Sequence, residues 1–174
     1  MTSAIYPGSF DPITYGHLDI ATRAARLFDK LYIGVYAKPN KNLFFTTVER
    51  VKLIEKAVTN LPNIEVVSFT GLTVNFARQM GAQVMVRGLR MTSDFEREFE
   101  MALMNKKLNR EIELVCLMTS LEFQFLSSSL LKEACELGGD ISTLVPRHVA
   151  IALKKKLQQP LKYDGKQSVS EHAI

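Results

Sequence analysis

The chain has 174 residues, 47% of them hydrophobic, and a formal net charge of +4. This excludes disorder, fits one core in one domain, and leaves a dispersed positive excess that suits an anionic small substrate as well as nucleic acid. No apolar run is long enough to cross a bilayer and no signal peptide precedes the first strand, so a cytoplasmic protein with no membrane partner is expected.

In chain order, Ala4-Ile5-Tyr6 reads as a short strand that Pro7-Gly8 breaks. Leu18, Ala21, Ala25 and Phe28 then follow helical spacing, so Gly16-His17 opens a helix. Leu31–Tyr36 is rich in β-formers and reads as a second strand, buried on both faces and ended by Lys38-Pro39-Asn40-Lys41. Thr46 and Glu49 fit a capping box, and the helix they open carries Val51, Ile54, Val58 and Leu61 on one face. Ile64–Val67 is a third strand. Beyond Gly71 a short helix has Phe76, Ala77 and Met80 on one side and Gly81 at C′. Gln83–Val86 is a fourth strand, ending in Arg87-Gly88-Leu89-Arg90. The next helix takes Thr92 or Ser93 as its cap and turns Phe95, Phe99, Ala102 and Leu103 inward. Glu111–Leu117 is a fifth strand. A loop from Thr119 to Ser129 leads into a helix with Leu130, Leu131, Ala134 and Leu137, and Pro146 opens a last helix. Residues 160–174 are polar and aperiodic and read as a tail, leaving 1–159 as the single domain.

Cys116 and Cys135 lie far apart in apolar surroundings and read as buried free thiols. The basic run Lys154-Lys155-Lys156 reads as a solvated helix face, so no nucleic-acid partner is expected.

Alternating strands and helices imply an α/β fold: a doubly wound, five-stranded parallel sheet with helices on both faces. Ligands of such sheets bind beyond the C-terminal strand ends at a topological switch point. Four distinctive segments follow strand ends: Ser9–His17, Pro39–Lys41, Arg87–Arg90 and Phe123–Ser129. The fold logic brings them to one edge. That edge then holds His17, Lys41, Arg87, Arg90 and a serine-rich helix start. It lacks a nucleophile with an activating partner, and no histidines stand at metal-ligand spacing. Cations and backbone donors of this kind suit phosphoryl or nucleotidyl transfer, where positioning and charge stabilisation are the protein's work. Each part also has an ordinary structural reading: Lys41 as a solvated lysine, Arg87 and Arg90 paired with Glu96 or Glu98, the serines as an N-cap cluster, Phe123 and Phe125 as core.

Thr14-Tyr15-Gly16-His17 resembles the T/H-x-G-H motif of the nucleotidyltransferase superfamily. Together with Arg87-Gly88-Leu89-Arg90, Asp94-Phe95-Glu96 and Ser127-Ser128-Ser129-Leu130-Leu131-Lys132-Glu133, the chain resembles the bacterial phosphopantetheine adenylyltransferases nearly throughout, to about Leu157. The resemblance implies a Rossmann-like nucleotidyltransferase fold and the reaction of ATP with 4′-phosphopantetheine to dephospho-coenzyme A and pyrophosphate. It marks His17, Lys41 and Arg90 as catalytic, with His17 stabilising the transition state of in-line attack. It places Ser9, Phe10, His17, Gly88, Leu89, Arg90, Glu98 and the run Phe123, Gln124, Phe125, Leu126, Ser127, Ser128, Ser129 at ATP. Ser9, Lys41, Thr73 and Arg87 match the acceptor positions. Ser9 stands where threonine is common and keeps the hydroxyl; Phe123 stands where tryptophan or tyrosine is frequent and keeps an aromatic face. Mg²⁺ held mainly by substrate phosphates, a homohexamer and feedback inhibition by coenzyme A are also implied. The alternatives are another small-molecule nucleotidyltransferase (cytidylyl- or nicotinamide-nucleotide adenylyl-) and a non-catalytic nucleotide-binding module.

Overall fold

The structure is a computed structural model that describes residues 1–39 and 42–158. Lys41 and the polar tail expected from residue 160 lie outside the described residues. The elements run β1 (Ser3–Gly8), α1 (Tyr15–Leu27), β2 (Lys30–Tyr36), α2 (Thr47–Ala57), β3 (Ile64–Phe69), α3 (Thr73–Gln79), β4 (Val84–Leu89), α4 (Thr92–Leu108), β5 (Glu113–Met118), a 3₁₀ turn (Leu121–Phe123), α5 (Ser128–Glu136) and α6 (Arg147–Gln158).

The five strands form one parallel sheet in the order β3-β2-β1-β4-β5, so the chain reverses its winding between β1 and β4. Successive strand residues point to opposite faces. Ala4 and Tyr6 accordingly join one buried cluster, with Ile20, Ala24, Ile54, Leu131 and Val149 of the helices on that side. Ile5 joins a second cluster with Val74, Phe76 and Ala77 of α3. Helices therefore cover both faces, as the alternation of elements requires. The capping box of α2 is present: the Glu49 N–H donates to Thr46 Oγ1 at 3.3 Å, and the Thr46 N–H donates to Glu49 Oε2 at 2.7 Å. Gly81 closes α3 at φ +61°, the left-handed conformation expected of a C′ glycine.

Five expectations need correction. Pro7-Gly8 does not break β1, which continues in register with Gly34 and Val35 of β2. Proline is tolerated there because pairing with β4 spans Ala4–Ile5 against Val84–Met85, so no ladder bond is asked of Pro7 on that side. Likewise β4 does not stop at Val86 but runs through Arg87-Gly88-Leu89, paired with Cys116, Leu117 and Met118 of β5. Met91, not Thr92 or Ser93, occupies the N-cap of α4 and makes no side-chain cap bond.

The largest departure is α4 itself. Phe95, Phe99 and Leu103 are each more than half exposed, and Ala102 is half-buried, so these residues do not face a core among the described residues. No residue of α4 is buried against the described residues. The neighbouring edge strand β5 likewise has no buried residue, although Leu114 and Leu117 pack against the core clusters, and Cys116 is an exposed thiol; Cys135 on α5 is buried as expected.

Candidate active site

The T-x-G-H spacing proves to be a capping box. Thr14 is the N-cap of α1 and His17 is its N3 residue. The Thr14 N–H donates to His17 Nδ1 at 3.1 Å, and the His17 N–H donates to Thr14 Oγ1 at 3.4 Å. The Thr14 hydroxyl also lies 2.9 Å from Nδ1. A backbone N–H can only donate, so Nδ1 is the acceptor and the neutral ring carries its proton on Nε2. The ring is fixed a second time by Phe10, whose ring packs edge-on at 5.2 Å. The helix start thus fixes both the tautomer and the orientation of His17.

Gly16 sits between Thr14 and the 3₁₀ turn. A Cβ there would meet Phe123 Cβ at 3.5 Å and Thr14 Oγ1 at 3.6 Å, ordinary contact distances. The protein's own packing does not demand glycine at this position. At Gly88 it does: a Cβ would stand 2.9 Å from Ile20 Cγ1, so glycine is what lets α1 lie close on β4.

The switch point is bridged by Arg87. Past Ile5 the paired register of β1 and β4 ends, and Arg87 Nη1 donates across the gap to the Pro7 carbonyl at 2.7 Å. Its Nε and Nη2 hold both oxygens of Glu98 at 2.8 and 2.5 Å. Burial alone would lower the Arg87 pKa, but the paired Glu98 carboxylate outweighs it and holds the guanidinium more firmly charged. Three of the five N–H donors are used this way.

Arg90 is built similarly. Nε and Nη2 grip Asp94 at 3.0 and 3.1 Å, and Nη1 donates to the Leu126 carbonyl at 3.2 Å. The Arg90 N–H also donates to Asp94, at 3.1 Å. Both arginines are therefore held by acids of α4 rather than standing as bare cations. The pairing partner of Arg87 is one of the two expected from sequence; that of Arg90 is Asp94.

Ser127 caps α5, accepting from the Leu130 N–H at 3.1 Å. The Ser128 hydroxyl donates to the Pro12 carbonyl at 2.9 Å, pinning the helix mouth to the first loop, and Ser129 is exposed. Phe123 is half-buried with its ring 6.1 Å from that of Tyr15, whereas Phe125 is exposed and is not core. Asp19 on α1, which the sequence reading did not single out, holds the other end of this segment: its carboxylate accepts from Ser120 N–H and Oγ at 3.0 and 2.9 Å.

The contacts form a chain: His17 to Phe10, Pro12 to Ser128, Leu126 to Arg90, Arg87 to Pro7. The segments around His17, Arg87–Arg90 and Phe123–Ser129 thus share one rim at the C-terminal end of β1 and β4. Gln124 donates to the Thr119 carbonyl behind that rim. Thr73 opens α3 past the end of β3, at the same edge of the sheet but outside the chain of contacts. Among the described residues no group of three or more His, Cys, Asp or Glu side chains is arranged to hold a metal.

Residues 5–134 match the family model described as cytidylyltransferase-like. The fold matches that of a putative nicotinate-nucleotide adenylyltransferase from Vibrio parahaemolyticus, with a TM-score of 0.68, 17% identity, and 88% of this chain and 99% of that one covered. A parallel sheet with a motif-capped helix at its switch point and the family-model match over residues 5–134 define a cytidylyltransferase-like nucleotidyltransferase. The relatives narrow the class. A phosphopantetheine adenylyltransferase of Dehalococcoides mccartyi is 54% identical over 154 residues, 88% of this chain and 97% of its own. One of Synechococcus elongatus is 56% identical over 151 residues, 87% and 91% of the two chains. The chain belongs to the phosphopantetheine adenylyltransferase family.

Proposed function

We propose that the rim between β1 and β4 transfers the adenylyl group of ATP to 4′-phosphopantetheine, giving dephospho-coenzyme A and pyrophosphate. The observation that carries this is the locked imidazole: His17 is held at a helix N-terminus with Nδ1 occupied and its proton on Nε2, on the rim that also holds two pre-formed arginine forks. An acceptor phosphate is already anionic near neutral pH, so no general base is required. Its oxygen attacks the α-phosphorus in line, the Pα–O bond to pyrophosphate breaks, and charge builds on the α-phosphate oxygens. A donor that is already oriented stabilises that charge without reorganising. His17 and Arg90 take this role, and Lys41, which lies outside the described residues, joins them.

ATP is assigned to Ser9, Phe10, His17, Gly88, Leu89, Arg90, Glu98 and the Phe123–Ser129 segment, with the aromatic face of Phe123 toward the base and the α5 mouth toward phosphate. The acceptor is assigned to Ser9, Lys41, Thr73 and Arg87. Glu98 also fixes the acceptor-side guanidinium, since both its oxygens accept from Arg87. Mg²⁺ would be held mainly by the substrate phosphates and, when bound, would neutralise charge on the leaving pyrophosphate. Coenzyme A contains both halves of the product and competes for the same rim as a feedback inhibitor. The protein works in the cytoplasm, and among the described residues no helix is long and apolar enough to cross a membrane. It assembles as a homohexamer, in which the exposed apolar face of α4 and β5 is covered by other copies.

The test is pyrophosphate release with a panel of acceptors: 4′-phosphopantetheine, nicotinamide mononucleotide and phosphocholine, each with ATP and with CTP. Release confined to ATP with 4′-phosphopantetheine is expected. Preference for another pair, or binding without product, refutes the assignment.

A further inference from the structure

Two buried charges outside the substrate-contacting set converge on the loop after β2. Arg50, in the first turn of α2, is 0% exposed. Its Nη1 donates to the carbonyls of Ser9 and Tyr36 at 2.6 and 2.9 Å, Nε to that of Phe45 at 3.3 Å, and Nη2 to Thr47 Oγ1 and the Ala37 carbonyl at 3.1 and 3.5 Å. All five partners are uncharged oxygens. Asp11 is 2% exposed. Its oxygens accept from the N–H groups of Phe44 and Phe45, both at 2.9 Å, and from Lys132 Nζ at 2.9 Å.

Burying a guanidinium whose hydrogen bonds all go to uncharged oxygens is costly, and its return is directional: it fixes several carbonyls relative to one another. Here those carbonyls belong to two different loops. On one side is the turn Ser9–Phe10, where Phe10 has φ +47°, a left-handed conformation that a side chain of this size adopts only when its surroundings impose it. Arg50 holds the peptide just before it, and the Phe10 ring packs on His17. On the other side are both flanks of the loop that carries Lys41.

We propose that Arg50 and Asp11 are positioning residues that set the acceptor-side loop against the nucleotide-side turn, so that the two substrates meet in register. This rests on the acceptor assignment made above for that loop. The effect is asymmetric. The nucleotide side has its own anchors, the Thr14–His17 capping box and Ser128 on Pro12, whereas the backbone of residues 44–45 hangs on Asp11 and Arg50.

The test uses Arg50→Lys and Asp11→Asn in the full chain. Lysine keeps the charge but its single nitrogen cannot reach five oxygens. Asparagine turns one acceptor into a donor, leaving a backbone N–H unpaired. Each variant is expected to raise the KM for 4′-phosphopantetheine about tenfold or more while the KM for ATP stays within about threefold. Hydrogen exchange at the Phe44 and Phe45 amides is expected to accelerate about tenfold, with the amides of α1 and α5 within about threefold of wild type. Uniform acceleration, equal rises in both KM values, or a lowered Tm with neither KM moved would overturn the proposal. If both variants fail to fold, Thr47→Ala, which removes one Arg50 partner, decides: the KM for 4′-phosphopantetheine and exchange at the Phe44 and Phe45 amides should rise about threefold while the KM for ATP and the α1 and α5 amides stay within about 1.5-fold, and no change overturns it. The exchange result does not depend on which acceptor the wild type uses, so loss of the acceptor assignment is recognised separately by the wild-type assay.

Discussion

Replacing His17 by alanine removes two separable things. One is the acceptor for the Thr14 N–H, 3.1 Å away; losing half of a capping box costs about 1 kcal/mol of stability. The other is the donor at Nε2, whose loss costs the transition state about 3–4 kcal/mol, or roughly 10²–10³-fold in kcat. Asparagine separates them. Its Oδ1 stands where Nδ1 stood and accepts from Thr14, but nothing reaches the Nε2 position. His17→Asn should therefore melt within about 2 °C of wild type, while His17→Ala melts lower by about 2–4 °C. Both should lose kcat by the same roughly 10²–10³-fold. Calorimetric melting and pyrophosphate release at saturating ATP and 4′-phosphopantetheine measure the two effects on one preparation. A well-folded His17→Asn protein that kept more than about a tenth of wild-type kcat would refute the role given to Nε2.

Three further outcomes are expected. Gly16→Ala should fold with unchanged Tm, since its Cβ meets only ordinary contacts, yet lose at least about tenfold in kcat/KM for ATP because the methyl occupies space kept for phosphate; a fully active variant contradicts that reading. Phe99→Glu should leave the circular-dichroism spectrum unchanged and lower the assembly state in sedimentation, because Phe99 is 54% exposed and belongs to no core cluster among the described residues; an unaltered assembly argues against the α4 face as the contact. At Asp94, burial pushes the carboxyl up, but hydrogen bonds from the Arg90 side chain and backbone outweigh it and hold it below the usual carboxylate range. A depressed folded pKa gives stability that is full above the unfolded value and lost as pH falls through the folded one. The stability gap between wild type and Asp94→Asn should therefore be constant from about pH 7 to 5 and shrink below about pH 4; a gap independent of pH contradicts the pairing.

The sheet and its switch point were legible because strand and helix periods alternate cleanly, and the Thr46–Glu49 cap because its spacing is unambiguous. The gathering at one rim of His17, Arg87, Arg90 and the serines followed from topology alone. What failed had local physical causes. Pro7 reads as a strand breaker, yet the neighbour it would have disrupted has already parted from it. The apolar residues of α4 read as a core face, yet periodicity reports an apolar surface without saying which chain covers it. The capping-box identity of Thr14 and His17 was missed because histidine is not among the usual N3 partners. Arg50 and Asp11 were passed over because buried charges carry no periodic signature; their partners are backbone groups brought close only by the fold.

A crystal structure with a non-reactive ATP analogue and 4′-phosphopantetheine tests the account most directly. It should show an α-phosphate oxygen about 3 Å from His17 Nε2, with the triphosphate running between Arg90 and the α5 mouth. A nucleotide seated elsewhere, such as in the cleft lined by Met85, Leu103 and Ile112 between α4 and β5, would contradict it.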